Sequence, residues 1–483
     1  MAKVRDFLLN KIELLKRKGT NIQILQTNVM LKFNYLNTFL ASHAPDVATE
    51  VRSQYVDTMG KYYHSKFKGY MGNLVKLQFE VAAKTDLVGE PESQMRSLFS
   101  SKTTLQNRTS VFSLGEREAV LEEVGKDSLI SHIAAEKKQK FTYEFLFRSM
   151  LHLLCESGTT EYLFTHQFFG RMDSIFHQIF AKTIGLFMEQ LSTFLANCYD
   201  AVGLLLMVRL MKEHQLIMSR RKVPILDQTF DKINMELWPR FKTVFDLNLD
   251  SVKNAKAAGG LTAADTHPHY VARKYAELAA AIYKLNVGID NEMHVVNMSS
   301  FLAEMERLMD QLAKDNEQPK DQTIFLINNY DVILGILKER GIQNADVVRL
   351  EELLGQSTTK FVEEELGEHF DALIKFVREV EPLLQAGETN VKYSREQCSA
   401  LVRKFATTWQ AGIEAINGSV MKFFSNFQNG MEILKHVLTQ LLLYYTRFTD
   451  LMKKLHGANA FQKDLVAIPT IMHEIKKYSR TFT

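Results

Sequence analysis

The stretch Ser419–His456, SVMKFFSNFQNGMEILKHVLTQLLLYYTRFTDLMKKLH, decides the fold class. Within it Phe423, Phe427, Met431, Leu434, Leu438, Leu441, Tyr445, Phe448 and Met452 recur at steps of three and four. That period lays one apolar stripe along a helix for about nine turns, and Gly457 follows as a stop. Phe and Tyr are frequent in the stripe, which suits a bundle core better than a two-stranded zipper. Strand-like alternation of comparable length occurs nowhere in the 483 residues.

Working outward, the same period returns. Cys198–Met218 is apolar on nearly all sides, the pattern of a buried central helix. Leu237–Val252 is a further helix. Pro268 suits the first turn of another, with Val271, Tyr275, Leu278, Ile282 and Leu285 on its stripe. Glu304–Leu312 is amphipathic and broken by Pro319. Asp321 then caps a helix with Leu326, Tyr330, Ile333 and Leu337 on one face, closed by Arg340 and Gly341. Val348–Val380 reads as an acidic helix stopped near Pro382. Val4–Lys16 opens the chain as a helix with no capping residue, as if it ran in from a preceding segment.

Composition agrees. Only 23 glycines and 8 prolines punctuate the chain, too few for an all-β protein that turns every 8–12 residues or so. Hydrophobic residues at 46% exclude a chain disordered throughout. The three cysteines, Cys155, Cys198 and Cys398, are widely spaced with no C-x-x-C pair, which fits reduced thiols in the cytosol and neither a disulfide framework nor structural zinc. The longest apolar run, Ala201–Val208, is far short of the roughly 20 residues of a membrane span.

The expected fold is all-α: an elongated rod of consecutive antiparallel helical bundles. Four regions are expected. Residues 1–83 are a helical segment continuing a truncated N-terminal region. Residues 84–140 are a long polar, mobile insertion, with a short strand or hairpin at Thr109–Leu114. Residues 141–318 form a central bundle, and 319–483 a C-terminal bundle. Charge is segregated along this order: net +6 over residues 1–80, −9 over 301–400 and +6 over 401–483. Basic ends around an acidic segment fit an elongated molecule and do not fit nucleic-acid binding, which clusters basic residues on one element.

No phosphate-cradling, dinucleotide, nucleophile-elbow or zinc-protease motif is present, and no cofactor is expected. His267 and His269 flank Pro268, where a helix-entry turn explains them better than a metal. His152 and Cys155 share one helix face, read as a partly buried pair. Glu363-Glu364-Glu365 reads as a solvated face. The triplets Lys16-Arg17-Lys18 and Arg220-Arg221-Lys222 are candidate basic surfaces for anionic lipid, although each stands where a helix ends and serves as a C-terminal cation there. Asn328 and Asn329 interrupt an apolar helix. Buried amides need partners, so the pair is read as a structural network between helices.

The stretch Phe325–Asp331, FLINNYD, resembles a signature of multisubunit tethering complexes built from helical rods. Val4–Leu9, Phe145–Ser149, Cys198–Ala201, Leu237–Phe241, His267–Tyr270 and Phe424–Gly430 follow in matching order. Together they resemble the vacuolar protein sorting-associated protein 52 family, subunits of the GARP and EARP tethering complexes; segment 84–140 is the part that does not. The resemblance implies a non-enzymatic role: tethering endosome-derived vesicles at the trans-Golgi network and supporting endocytic recycling. It implies as partners the other GARP/EARP subunits, engaged mainly through an N-terminal coiled coil absent here, with SNARE proteins and a Rab-family GTPase. Localisation would be cytosolic and peripheral, on trans-Golgi network and endosome membranes. The competing expectation is a helical enzyme or ligand-binding protein with a pocket between bundles.

Overall fold

The computed structural model describes residues 1–17, 19–90, 111–255, 265–286, 298–387, 392–457 and 460–480. Among them the chain is all-α, with no strand; one isolated parallel β-bridge joins Gln78 to Phe141.

Two compact units are present, one of residues 1–251 and 277–296, the other of 252–276 and 297–483. In the first, α1 (Ala2–Leu14) and α3 (Asn34–His43) lie on the long α4 (Pro45–Val75), with a turn of helix α2 (Ile22–Ile24) between them. Pro45 occupies the first position of α4, where its missing N–H costs nothing. Short helices α5 (Ala119–Glu122) and α6 (Ser131–Glu136) follow. Then come α7 (Tyr143–Phe169), α8 (Asp173–Ala196), α9 (Ala201–Arg220) and α10 (Asp227–Asn254). The core is dominated by aromatic side chains, among them Tyr55, Phe67, Phe147, Phe176, Phe180 and Phe241. α9 is buried nearly all round, because Ala201–Val208 and Leu210 are apolar on every face.

Part of segment 84–140 is built into this unit. Residues 91–110 lie outside the described residues, and with them Thr109 and Ser110 of the expected hairpin. Residues 111–114 form no strand. Val111, Phe112, Val120, Val124 and Ala134 are buried. Arg148 of α7 donates to the carbonyls of Glu123 and Lys126, both at 2.8 Å, so backbone that lacks helical periodicity is held by a side chain from elsewhere.

The second unit contains α12 (Met298–Ala313), α13 (Pro319–Glu339), α14 (Ala345–Gln385), α15 (Arg395–Phe423), α16 (Phe427–His456) and α17 (Ile468–Arg480). α11 (Tyr270–Asn286) begins in it. α14 packs on α13 and α16, and α15 on α16. The expected single helix over 419–456 is two helices. The chain turns at Phe424–Asn426, and Asn426 caps α16 by accepting the N–H of Gln428 at 3.1 Å. The apolar period crosses the break because Phe423 and Phe427 keep a four-residue spacing while buried Phe424 plugs the turn.

α14 spans 41 residues in two helical stretches that meet at a kink at the non-helical Phe370, with Pro382 inside its last turns. Pro319 starts α13 rather than breaking it, and Gln318, not Asp321, precedes that start. Gly341, at φ 74°, ends α13 as expected, with Ile342 N–H returning to the Leu337 carbonyl.

Candidate protein-interaction site

One cavity of the first unit is lined by two carboxylates of an ion triad. Arg117, carried by the short turn Gly115–Glu118, donates from Nε to Glu144 Oε1 at 2.8 Å and from Nη2 to Asp200 Oδ2 at 2.5 Å. Glu144 belongs to the first turn of α7. Asp200 caps α9, accepting the Gly203 N–H at 2.9 Å. Gly203 leaves room for the triad, since a Cβ would stand 2.5 Å from Asp200 Oδ2 and 2.7 Å from Arg117 Nη2. The two carboxylates hold the guanidinium charged against the opposing pull of burial.

Over this triad opens a cavity of about 370 Å³. One wall is the run Gln78–Ala82, just after α4. The others come from Tyr143 and Phe194, whose rings stack, and from Cys198, Tyr199 and Met207. Burial pushes the Cys198 thiol up to about 12 and raises the Tyr143 phenol. Both are therefore neutral near pH 7 and neither is an activated nucleophile. The chemistry offered is recognition: backbone polar groups, aromatic faces and carboxylates.

Elsewhere in the same unit Glu161 is fully buried on α7. It accepts from Tyr55 at 2.5 Å, Tyr63 at 3.0 Å and Gln26 at 2.8 Å. Burial raises its pKa, and three donors oppose the rise. This network ties α4, α7 and the segment after α2 together.

Asn328 and Asn329 both engage backbone from distant segments. Asn328 Nδ2 donates to the carbonyls of Thr266 at 2.8 Å and Phe423 at 3.0 Å. Asn329 accepts the N–H of His269 at 2.7 Å and donates to Phe325 at 2.8 Å.

The basic triplets stay at helix ends, on different helices. Lys16 pairs with Glu13 at 2.6 Å, Arg17 is exposed, and Lys18 lies outside the described residues. Arg220 is exposed, Arg221 pairs with Glu156 at 2.6 Å, and Lys222 turns the chain at φ 57°. His267 pairs with Asp265 at 3.2 Å. His152 faces His214, and Cys155 is buried.

The acidic run is not a uniform solvated face. Glu363 meets Arg378 and Tyr444, while Glu365 is fully buried. Glu365, Glu368 and His369 place metal-ligand atoms within 4.8 Å of one another. Lys320 already supplies the cation, with Nζ at 2.6 Å from Glu365 and 2.7 Å from Glu368.

Sequence reasoning missed the cavity and the triad. Asp200, three residues before Gly203, was readable as a helix cap. Arg117 carried no signal, because its carboxylates are 27 and 83 residues away.

The family described as "Vps52, C-terminal" matches residues 57–362. Vacuolar protein sorting-associated protein 52 A of Arabidopsis thaliana is 43% identical over the whole chain, which spans 68% of that relative. The vacuolar protein sorting-associated protein 52 homolog of Rattus norvegicus is 34% identical over the whole chain, again 68% of the relative. Among solved structures, the S. cerevisiae exocyst component Exo70p aligns over 98% of this chain and 99% of its own. The TM-score is 0.44 and the identity 11%.

Proposed function

This chain belongs to the Vps52 family, and on that premise we propose that it is a non-enzymatic subunit of a vesicle-tethering complex. It acts in retrograde transport from endosomes to the trans-Golgi network and in endocytic recycling, by scaffolding protein–protein contacts. The observation that carries the reading is 43% identity to a curated relative across all 483 residues. The buried polar groups support it: Arg117, Glu161 and Asn329 satisfy neighbouring protein groups. Among the described residues, no helix is long and apolar enough to cross a membrane. Attachment to trans-Golgi network and endosome membranes then comes from partners: the other GARP/EARP subunits, SNARE proteins and a Rab-family GTPase.

Depletion in the source cells, with a fluorescent receptor that cycles between endosomes and the trans-Golgi network as cargo, tests this. The receptor should accumulate in peripheral vesicles and return on re-expression. Unchanged cargo distribution after complete depletion would overturn the proposal.

A further inference from the structure

We propose that the cavity beside Gln78–Ala82 docks an extended peptide of a partner protein, which adds as a strand along this segment and carries a basic side chain. All five consecutive residues, Gln78 to Ala82, line the cavity. Side chains of an extended chain alternate between two faces, so five consecutive lining residues mean that the main chain itself forms the wall.

The run begins at the isolated β-bridge. Phe79 N–H donates to Phe141 at 3.1 Å, and Phe141 N–H to Leu77 at 2.9 Å. Beyond that bridge, the backbone N–H and C=O groups of Glu80, Val81 and Ala82 meet no protein partner among the described residues. Ala82 is nonetheless only 3% exposed. Buried backbone groups are almost always paired, and an open strand edge is the template that an added peptide strand completes.

Charge names the peptide's chemistry. The lining carries Glu80, Glu144 and Asp200 and no Lys or Arg. Arg117 pairs with two of these carboxylates and Arg240 stacks on Tyr199 at 4.8 Å, but neither guanidinium lines the cavity. An Arg or Lys side chain on the incoming strand meets Glu80, the lining carboxylate that Arg117 does not engage, and Val75, Val81 and Met207 receive an apolar neighbour. The cavity's size suits one or two side chains of a peptide. The inference stands on this geometry and is independent of the tethering assignment.

The test uses the 483-residue chain and fluorescein-labelled dodecapeptides of alternating Val and Ser with two central Arg. Matched peptides carry two Glu, or N-methylated amides on the strand edge. The Arg peptide should bind about tenfold more tightly than either control by fluorescence polarisation. It should also slow hydrogen exchange at Glu80–Ala82. Thr193→Trp plugs the cavity from an exposed position on α8, and Glu80→Pro removes one edge N–H outside any helix. Each should abolish binding without changing the circular dichroism melt, and if one misfolds the other decides.

Four results would each overturn the proposal. They are no binding of the Arg peptide at about 1 mM, equal binding of Arg and Glu peptides, binding that survives a folded variant, and slow exchange of the edge amides in the free chain. The last would mean that a segment of this chain already holds the edge. None of these outcomes bears on the depletion experiment.

Discussion

Asn329 Oδ1 accepts the backbone N–H of His269 at 2.7 Å, joining residues 60 apart in the chain. The N–H belongs to the turn that leads into α11, and the amide sits inside α13, so one side chain fixes the approach of one helix to another. Asn is a poor helix former, and its place here is explained by this bond and by the Nδ2 donation to Phe325.

Asn329→Leu removes the acceptor of the part-buried His269 N–H. The expected cost is about 1–3 kcal/mol in urea unfolding. Asn328→Leu, which strips a donor from the Thr266 and Phe423 carbonyls, should cost a similar amount. Wild-type stability in both variants would show that water replaces these bonds freely.

Gly203→Ala forces a Cβ against Asp200 and Arg117 in a buried ion triad. Arg117→Met leaves two buried carboxylates without their cation. Arg117→Met should cost about 3 kcal/mol or more, and Gly203→Ala about 1–3 kcal/mol. The double variant should cost less than the two together, because the first change has already opened the triad. Additive losses would place the two residues in separate networks.

Gly412 of α15 packs against Phe370 of α14. A Cβ at Gly412 would lie 2.6 Å from Phe370 Cζ, and Phe370 is the residue where α14 leaves helical geometry at φ −131°. Gly412→Ala should destabilise by about 1–3 kcal/mol through overpacking. Phe370→Leu, smaller at the ring tip, should recover part of that loss in the double variant. No recovery would mean that the α14 kink, rather than the ring, sets the spacing.

His214 gives a pH dependence. Burial lowers its pKa to about 4, with the nearby charges of His152, Arg148 and Arg221 adding to the effect and the Leu210 carbonyl opposing it; Glu156 favours the charged form of neighbouring His152. Between about pH 6.5 and 4 the unfolded chain binds more protons here than the folded one. Stability is therefore present above the unfolded value and lost as pH falls toward the folded one. His214→Leu should flatten the acid side of the stability profile by about 2 kcal/mol, read from melts at pH 7, 6 and 5. An unchanged profile would assign the acid sensitivity to other groups.

How far the chain could be read depended on what each feature requires. The stripe through Leu434, Leu441 and Tyr445 was legible because helical periodicity is a local property, and all three are buried. The break at Phe424–Asn426 was not. The stripe keeps its phase across it, and Asn426 reads as an ordinary polar residue until its cap and its bond to Asp331 at 2.8 Å are seen. Residues 111–140 lacked a period because they are held by Arg148 and Arg117 rather than by a helical face. Polar composition alone does not distinguish such backbone from a solvated loop.

The all-α class, the helix-rich interior and the family are legible in the chain, since apolar spacing and residue order are written along it. Which polar groups satisfy which depends on the fold. Glu161 meets Gln26 across 135 residues and Asp200 meets Arg117 across 83. A buried charge or amide must find its partner wherever packing brings one within about 3 Å, and no one-dimensional pattern encodes that distance.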